Sequence, residues 1–509
     1  MNLVTQLLAL NAELEMALAR KLRSFKTTEK VSPGQLALLL EKVANEVPST
    51  SEEDAANDEP TPSDELSKLV EGERERLANE KTKPPSKKPR RKPFPKELER
   101  VDNPIPVPKE QRPCPVCGME RRCGGHEISE VLELIPAKVI VRRDLREKLE
   151  CDVCEKRQTQ RAPSGDRVVS GGMFGPTIVA QILVDKYRDG LPLHRQRERY
   201  WRMGVDLAVS TLSDQVSWGA ELLQPLWRAL QIVALGSVIL HLDATSLPFF
   251  SGTEKGLKKN KKLGALWGYV GDDHIALYLF APSGHATFDD PRIVGPEDFL
   301  ALRTGYTVAD AATVFDKTFQ REGIIECGCN MHARRSFAKA LDGGDARAAI
   351  ALDAYQVLYR LEKEARTLEP HERLKLRQER SAPIFEKLLE WTQSIKEDEP
   401  PSSKLGRALA YFNNQQEPLS RFLMDGRIPI DNGVVERLHV RAALTRKNFL
   451  FAGSERGAQN AAIMFSILGS CALCGIDPLR YLSEVIPILA RGVIEKDVIQ
   501  LLPHNISLS

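Results

Sequence analysis

The sequence predicts a multidomain α/β protein, and three observations support this fold class. The chain has 509 residues, which is more than one hydrophobic core usually holds. After residue 236, the runs "GSVILHLDATSLPFF", "LGALWGYVGD" and "HIALYLFAPSG" follow one another and indicate consecutive antiparallel strands. Residues 338–424 instead carry a highly charged helical pattern without a strand signal. We therefore expect an α/β core that is interrupted by an all-helical insertion.

The N-terminal region divides into a helical segment and a linker. Within residues 1–48, apolar residues spaced four and three apart from Leu3 to Leu14 predict either a short coiled coil or an ordinary packed helix. Residues 49–110 are rich in Pro, Ser, Glu and Lys and contain few large apolar side chains. This composition predicts a linker that is disordered in isolation.

Part of this linker is strongly basic. Residues 81–96, "KTKPPSKKPRRKPFPK", hold eight basic residues and no acid, and include Lys87, Arg90 and Arg91. Such a run either contacts a polyanion or is simply solvated. We expect these three residues to contact DNA.

Cysteines mark the next segment, residues 111–160. Cys114-x2-Cys117 and Cys151-x2-Cys154 form two ligand pairs with a β-rich stretch between them. Four thiolates suit tetrahedral Zn²⁺, which would stabilise a segment too small to fold by burial alone. We expect a zinc ribbon with a structural role, because four protein ligands leave no open position for catalysis. Free or degenerate thiols are the alternative.

Helices are predicted throughout residues 165–235. The segment "PLHRQRERYWRMGVDLAVSTLSDQVSWGAELL" reads as two helices joined by a tight turn at Gly204, with Ser210 as the expected N-cap of the second. The basic first helix ends near Arg202. This pattern predicts a helix-turn-helix that binds DNA, although a plain α-hairpin has the same pattern.

Two acids stand at strand ends in the first part of the core, residues 236–337. Asp243 ends the apolar run "VILHLD", where a carboxylate is costly unless its charge is compensated. Asp310 ends a later strand, directly before a helix. For either acid alone, the simpler interpretation is a turn or cap residue.

The C-terminal helical part of the core, residues 425–509, opens with "DGRIPIDNGVVERLHVRAALTRKNFLFAG". We expect Asp431 to cap a helix that contains Glu436. Three acids on separate elements, here Asp243, Asp310 and Glu436, are what a two-metal site requires. In such a site two Mg²⁺ ions about 3.5–4 Å apart hold the attacking and leaving oxygens of a phosphoryl transfer.

The chain resembles the transposases of bacterial insertion-sequence group sixty-six over nearly its whole length. The resemblance rests on "KLRSFKTTEKVSPGQLAL", the two Cys pairs, "LVDKYRDGLPLHRQRERYWRMGVDLAVSTLSD", "HLDAT", "TGYTVADAA", "CGCNMHARRSF" and "IPIDNGVVERLHVRAALTRKNFLFAGSERGAQNAAIMFSIL", in the family's order. It implies a ribonuclease-H-like core whose DDE triad is Asp243, Asp310 and Glu436, with Mg²⁺ or Mn²⁺ as the bound ions.

The resemblance also implies an activity and partners. A transposase of this kind cleaves the ends of its element and transfers the freed 3′-hydroxyl to target DNA. Arg437 and Arg441 would then contact phosphates or support the acids, and Arg446 and Lys447 would face backbone phosphates. The implied partners are double-stranded DNA, further copies of the chain in a homodimer or larger assembly on DNA, and accessory transposition proteins.

Two residues depart from the family pattern and keep an alternative open. Ala244 stands where the family usually has an acid, and Gly433 where it has a second Asn. The alternative is a catalytically inert DNA-binding protein derived from a transposase. A metal-dependent nuclease without strand transfer is a third possibility. Asp316 is the competing candidate to Asp310 for the second acid.

Composition predicts the cellular location. Apolar residues make up 42% of the chain and charged residues 28%, as in ordinary soluble proteins. The sequence has neither a continuous apolar run of about 18 residues nor a signal peptide. Nine cysteines, an odd number, argue against a secreted disulfide framework. We expect a cytoplasmic, nucleoid-associated protein without membrane contact.

Overall fold

The computed structural model describes residues 61–79, 138–150, 159–162, 172–251, 260–285, 294–492 and 495–506, with isolated positions at 100–102, 105, 112, 115–117, 119, 169 and 287. Contacts divide the chain into two compact units, residues 1–76 with 144–509 and residues 77–143. The sheet and the candidate site belong to the first unit. Among the described residues, no helix is both long and apolar enough to span a membrane.

Most of the described secondary structure is helical. In chain order the α-helices are α1 (Pro62–Asn79), α2 (Pro176–Tyr187), α3 (Leu193–Arg202), α4 (Val209–Leu222), α5 (Gln224–Leu235), α6 (Pro296–Phe299), α7 (Asp316–Phe319), α8 (Asn330–Asp342), α9 (Ala348–Glu364), α10 (Pro370–Leu376), α11 (Ala382–Lys396), α12 (Lys404–Asn414), α13 (Gln416–Ser420), α14 (Gly433–Phe449), α15 (Glu455–Leu473) and α16 (Pro478–Ala490).

The strands form two sheets. β1 (Lys148–Glu150) and β2 (Thr159–Arg161) make a small antiparallel pair. The main sheet contains β3 (Ile239–Ser251), β4 (Asn260–Gly271), β5 (Ile275–Ala281), β6 (Gly305–Ala309) and β7 (Ile324–Gly328), in the order β5-β4-β3-β6-β7. β3, β4 and β5 are antiparallel, as their runs predicted, whereas β6 and β7 run parallel to β3. The chain is therefore a mixed α/β protein.

The turn between β4 and β5 helps to fix the start of β3. Asp272 and Asp273 both have positive φ, 43° and 61°, as in the two-residue turns that match the twist of a β-hairpin. The Asp272 carboxylate also accepts hydrogen bonds from the backbone N–H groups of Val238 and Ile239, at 3.1 and 2.9 Å. The strand that carries Asp243 is thus anchored at its first residue.

The outer edge of β5 is covered by helix α15. Every residue of β5 is buried, so its unpaired backbone groups need partners inside the protein. Ser466 and Ser470 of α15 supply them, because their hydroxyl oxygens accept hydrogen bonds from the N–H groups of Tyr278 and Ala276, at 2.7 and 2.9 Å. Helix α15 therefore completes the sheet at this edge.

Helices α9 to α13 form the expected insertion between β7 and α14, and one buried guanidinium ties them to the segment before α14. Arg377 is fully buried and forms two 2.7 Å hydrogen bonds with the Glu362 carboxylate. It also donates to the carbonyl oxygens of Phe422, Asp425 and Ile428, at 2.7, 3.1 and 2.8 Å. Because a buried guanidinium is costly without such partners, this contact fixes the chain that leads into α14.

Helices α3 and α4 meet at the predicted tight turn, where Gly204 has a φ of 84°. The expected cap is wrong, because α4 begins at Val209 with Ala208 in the N-cap position. Ser210 therefore lies inside the first turn. The helix pair is present, and its interpretation as a helix-turn-helix stays a prediction.

Candidate active site

Two of the predicted acids, Asp243 and Asp310, lie just beyond the paired part of the parallel strands β3 and β6. The pairing of β3 with β6 ends with His241 opposite Val308, and Asp243 and Asp310 stand two residues further along each strand. The register thus brings the two carboxylates together. Asp243 is half-buried at the centre of the sheet.

Glu436 adds a third carboxylate from the first turn of α14. Burial, followed by the negative charges of Asp310 and Glu436, raises the pKa of Asp243 to about 6. Asp316 is not among the groups that shift the pKa of Asp243; its charge instead helps to raise the pKa of Glu326. Asp310 and Glu436 thus add to the negative charge around Asp243, and we call these three residues the acidic cluster. The choice of Asp310 rather than Asp316 as the second acid stays a prediction.

A cation and an imidazole from helix α8 face Glu436. Arg335 Nη2 lies 3.3 Å from Glu436 Oε2, and Arg335 Nη1 lies 3.3 Å from His332 Nε2. His332 Nδ1 is 3.8 Å from Glu436 Oε1. The negative charge of Glu436 is thus partly compensated by Arg335, although the pair is half-exposed and its net contribution to stability is small.

Cys329 lies next to this group, and its thiol, His332 and Glu436 have potential ligand atoms within 4.8 Å of one another. Burial raises the pKa of the Cys329 thiol to about 11, so the sulfur is protonated at neutral pH. The Cys329 sulfur also accepts a hydrogen bond from the Asn432 backbone N–H, at 3.2 Å. This thiol is thus a buried group held against the start of α14.

Asn432 fixes the start of helix α14 against β3. Its side chain is fully buried, donates from Nδ2 to the Leu242 carbonyl oxygen at 2.7 Å, and places Oδ1 2.9 Å from His241 Nδ1. The Glu436 N–H in turn donates to the Asn432 carbonyl oxygen. Glu436 is therefore one helical turn after Asn432, and Asn432 is hydrogen-bonded to Leu242, the residue before Asp243.

Asp431 has the local role that the sequence predicted, with a shift of one residue. Asn432 occupies the N-cap position, and Asp431 Oδ1 accepts a hydrogen bond from the Gly433 N–H at 2.8 Å. A Cβ atom at position 433 would lie 2.8 Å from that same oxygen. Gly433 thus makes the close approach of Asp431 possible.

Ala244, the other residue that departs from the family pattern, lies beside Asp243 on β3. Ala244 is exposed, and neighbouring residues on a strand point to opposite faces of the sheet. Its backbone N–H donates to Asp243 Oδ1 at 2.8 Å. An acid at position 244 would therefore face away from Asp243.

His439 is a site residue that the sequence analysis missed. It lies one turn after Glu436 on α14, and its Nε2 atom is 3.6 Å from Asp243 Oδ2. Its Nδ1 atom is 3.0 Å from the Tyr278 hydroxyl. Burial lowers the pKa of His439 to about 4. The signal was available in the sequence as the Glu-x-x-His spacing, which places both side chains on one helix face.

The predicted basic residues lie on or near helix α14. Arg437, Arg441 and Lys447 are exposed. Arg446 is half-buried and contacts the hydroxyl groups of Thr245 and Ser246 on β3, at 3.4 Å each. Arg202, at the end of α3, is exposed. The helix that carries Glu436 thus presents positive charge along its length after the acid.

Several predicted residues lie outside the described part of the chain. These are Cys114, Cys151 and Cys154 of the expected zinc ribbon and Lys87, Arg90 and Arg91 of the basic run. Cys117 is described and stands exposed in a turn.

The fold and the site define a class: a mixed α/β protein with a carboxylate cluster on the central strands of its sheet and a basic helix beside it. Comparison with protein families goes further. Residues 171–460 match the Transposase IS66 family, and residues 111–155 match the zinc-finger binding domain of transposase IS66. The chain belongs to the IS66 family of transposases. The second match contains all four predicted zinc ligands and supports a zinc site there.

Relatives of similar length are known from Sinorhizobium fredii. Uncharacterized protein y4hP is 31% identical over 436 residues, covering 82% of this chain and 77% of the relative. Uncharacterized protein y4qI is 32% identical over 447 residues, covering 86% and 80%. Uncharacterized protein y4jD is 30% identical over 424 residues, covering 81% of each. The names of these relatives state no activity.

Proposed function

We propose that this protein is a DDE-type DNA transposase that cleaves the ends of its element and transfers the freed 3′-hydroxyl to target DNA. One observation carries the proposal: Asp310 follows β6 in register with Asp243 on β3, and the charges of both Asp310 and Glu436 act on Asp243, although the helical insertion separates the third acid from the others in the chain. The sheet order and the position of the insertion support the ribonuclease-H-like core that the resemblance implies.

The donor set fits divalent ions. Three carboxylates supply the oxygen ligands that Mg²⁺ and Mn²⁺ prefer. The pKa of Asp243 is raised to about 6 by burial and then by the negative charges of Asp310 and Glu436, which Arg335 only partly offsets. Asp243, Asp310 and Glu436 would hold the ions. When bound, such ions activate water and stabilise the charge of phosphoryl transfer.

The chain itself would bind and orient the DNA. Arg437, Arg441 and Lys447 project from the helix that carries Glu436, so a phosphate backbone bound by them passes beside the acids. Arg446 adds a cation next to β3. Arg202 and the α3–α4 helix pair would contribute to recognition of element ends, and the zinc ribbon and the basic run at 81–96 would add contacts outside the core.

The inert alternative rests on Ala244 and Gly433. Two contacts favour the enzyme: the Ala244 backbone N–H donates a hydrogen bond to Asp243, and Gly433 leaves room for the Asp431 carboxylate. Assembly on DNA, accessory proteins and a nucleoid-associated location stay predictions.

The test compares two neighbouring acids in the same assay. Purified protein is incubated with labelled element ends and Mg²⁺ or Mn²⁺, and nicked and joined products are separated. Glu436→Gln should bind DNA normally but lose nearly all cleavage, because the amide removes a ligand charge. Asp431→Asn is the matched control, since an amide oxygen accepts the same hydrogen bond from Gly433, and it should keep much of its activity.

The results separate the candidate functions. Nicked products without joined products would indicate a nuclease, and DNA binding without either product would indicate the inert protein. If Glu436→Gln cleaves like the parent while Asp431→Asn is inactive, the third acid is assigned wrongly.

A further inference from the structure

Helix α14 carries a second potential ligand toward Asp243, the imidazole of His439. Asp243 of β3 pairs with Gly268 of β4 across the sheet, and the His439 ring lies over that glycine. A Cβ atom at position 268 would be 2.5 Å from His439 Cε1, closer than any side chain permits. The absence of a side chain at Gly268 therefore makes room for the ring beside the carboxylate.

The nitrogen that faces Asp243 makes no hydrogen bond of ordinary geometry with the described residues, although the nearby Asp243 backbone partly offsets the effect of burial on the pKa of His439. His439 is only 8% exposed, and its Nε2 atom is buried and unpaired. The separation of 3.6 Å from Asp243 Oδ2 is too long for a hydrogen bond. Buried polar atoms are rarely left in this state unless something else occupies the site. A cation between the nitrogen and the carboxylate would satisfy both atoms.

The surroundings of His439 match those of histidine ligands. Metal-binding histidines usually have their other ring nitrogen held by a hydrogen bond that fixes the ring orientation. The Tyr278 hydroxyl, 3.0 Å from Nδ1, does this here. Glu436 and His439 also form a Glu-x-x-His pair on one helix, the ligand pair that recurs in helices that hold two metal ions among carboxylates.

His332 is the competing imidazole, and its surroundings are less suitable. Its Nδ1 atom is also buried and unpaired. However, Arg335 lies 3.3 Å from both His332 Nε2 and Glu436 Oε2. A cation bound by His332 would therefore stand beside a guanidinium, which repels it. Among the described residues His439 has no guanidinium at such a distance, although the more remote charge of Arg446 helps to lower its pKa.

We propose that His439 Nε2 and Asp243 share one divalent ion, so that the site is a mixed carboxylate–imidazole site that favours a first-row transition ion such as Mn²⁺ over Mg²⁺. This inference rests on the proposed function, because it assigns a further ligand to the same acidic cluster. Nitrogen ligands shift affinity toward transition ions, whereas Mg²⁺ requires oxygen.

The test detects directly whether an imidazole nitrogen is bound to the ion. The full-length protein, with its zinc retained, is loaded with Mn²⁺, and ¹⁴N modulation of the electron spin echo is recorded. We expect the modulation of a directly bound imidazole in the parent, its loss in His439→Gln, and its retention in His332→Gln. His371→Gln is the control, because His371 is an exposed histidine on α10, and it should match the parent.

A second variant keeps the test decisive if His439→Gln does not fold. Tyr278→Phe retains the ring volume but removes the hydrogen bond to Nδ1, and it should weaken Mn²⁺ binding by about tenfold or more, the usual cost of losing such a support. Competition between Mn²⁺ and Mg²⁺ should show a Mn²⁺ preference in the parent that falls in both variants.

Failure of the inference differs from failure of the proposed function. Mn²⁺ bound without ¹⁴N modulation, modulation that survives in His439→Gln, or unchanged affinity in Tyr278→Phe overturns the inference alone. A parent that binds no Mn²⁺ overturns it together with the metal assignment. Nitrogen-ligated Mn²⁺ in a protein that neither cleaves nor joins element ends supports the ligand and contradicts the transposase activity.

Discussion

Asn432 donates a hydrogen bond from Nδ2 to the carbonyl oxygen of Leu242, at 2.7 Å. Leu242 precedes Asp243 on the central strand, and Asn432 precedes Glu436 by one helical turn. This bond therefore sets the position of one acid relative to another across a long separation in the chain. Because the Asn432 side chain also contacts His241, its replacement would leave buried polar groups on β3 without a partner.

The first prediction concerns this bond. Asn432→Ala should lower the free energy of unfolding by about 2–4 kcal/mol, since each buried group left unsatisfied costs about 1–3 kcal/mol. Urea denaturation measures the change. Asn414→Ala, at the exposed end of α12, is the control and should stay within about 0.5 kcal/mol of the parent. Equal stability of the two variants would mean that the bond does not anchor α14.

The second prediction concerns the charge of Asp243. Its pKa in the folded protein, about 6, exceeds the ordinary value of 3.8, so folding binds a proton between these pH values and the charged form is destabilising above pH 6. Without added Mg²⁺ or Mn²⁺, Asp243→Asn should therefore raise the free energy of unfolding at pH 7 by roughly 1–3 kcal/mol.

The same prediction fixes a pH dependence. The gain from Asp243→Asn should shrink as the pH falls from about 6 toward about 4, because the parent carboxyl is then protonated in the folded state. Urea denaturation at pH 7 and pH 4.5 measures it, with Asp214→Asn on the exposed surface of α4 as the control. A gain of the same size at both pH values would contradict the charge explanation.

The third prediction concerns zinc. If Cys114, Cys117, Cys151 and Cys154 bind one ion, purified protein should contain about one Zn²⁺ per chain. Cys151→Ser should lose most of it, as measured by elemental analysis. Cys474→Ser is the matched control, because Cys474 follows α15, far along the chain from the zinc-finger match. Full zinc occupancy in Cys151→Ser would exclude this ligand set.

The fourth prediction concerns the basic run at 81–96. Replacing its basic residues with Gln should make DNA affinity less dependent on salt, because each phosphate contact contributes about 0.9 to the slope of log affinity against log salt. Fluorescence anisotropy at several salt concentrations measures the slope. A variant with the same 16 residues in shuffled order should keep the parent slope. An unchanged slope in the Gln variant would make the run a simple linker.

The sequence was sufficient for the strands and for Asp310 at the end of β6, whereas the expected strand end at Asp243 is wrong, because β3 continues to Ser251. The runs that became β3, β4 and β5 are long and apolar, and the short strand β6 ends at Ala309, directly before Asp310. These are local signals, because strand propensity and burial are encoded within a few residues. The resemblance then supplied what periodicity cannot, the grouping of Asp243 and Asp310 with Glu436.

The features that the sequence analysis missed depend on contacts between residues that are far apart in the chain. The sequence analysis made no prediction for His439, because its contact with Asp243 depends on Gly268, a residue on another strand. It assigned the cap to Asp431 and made no prediction for Asn432, whose side chain donates a hydrogen bond to Leu242 on β3. The wrong cap at Ser210 has a local origin: serine is a common N-cap, but α4 begins before Ser210 without a side-chain cap.

The place of the helical insertion between β7 and α14 has a consequence during synthesis. Ribosomes add about 5–20 residues per second, so the roughly 190 residues from Asp243 to Glu436 take roughly 10–40 s to translate. During that interval the nascent chain contains the helix pair proposed to recognise DNA and two acids, but lacks the third. A chain that ends before Asn432 would lack the third acid together with the helix α15 that covers the edge of β5, so the catalytic residue and the last support of the sheet arrive together.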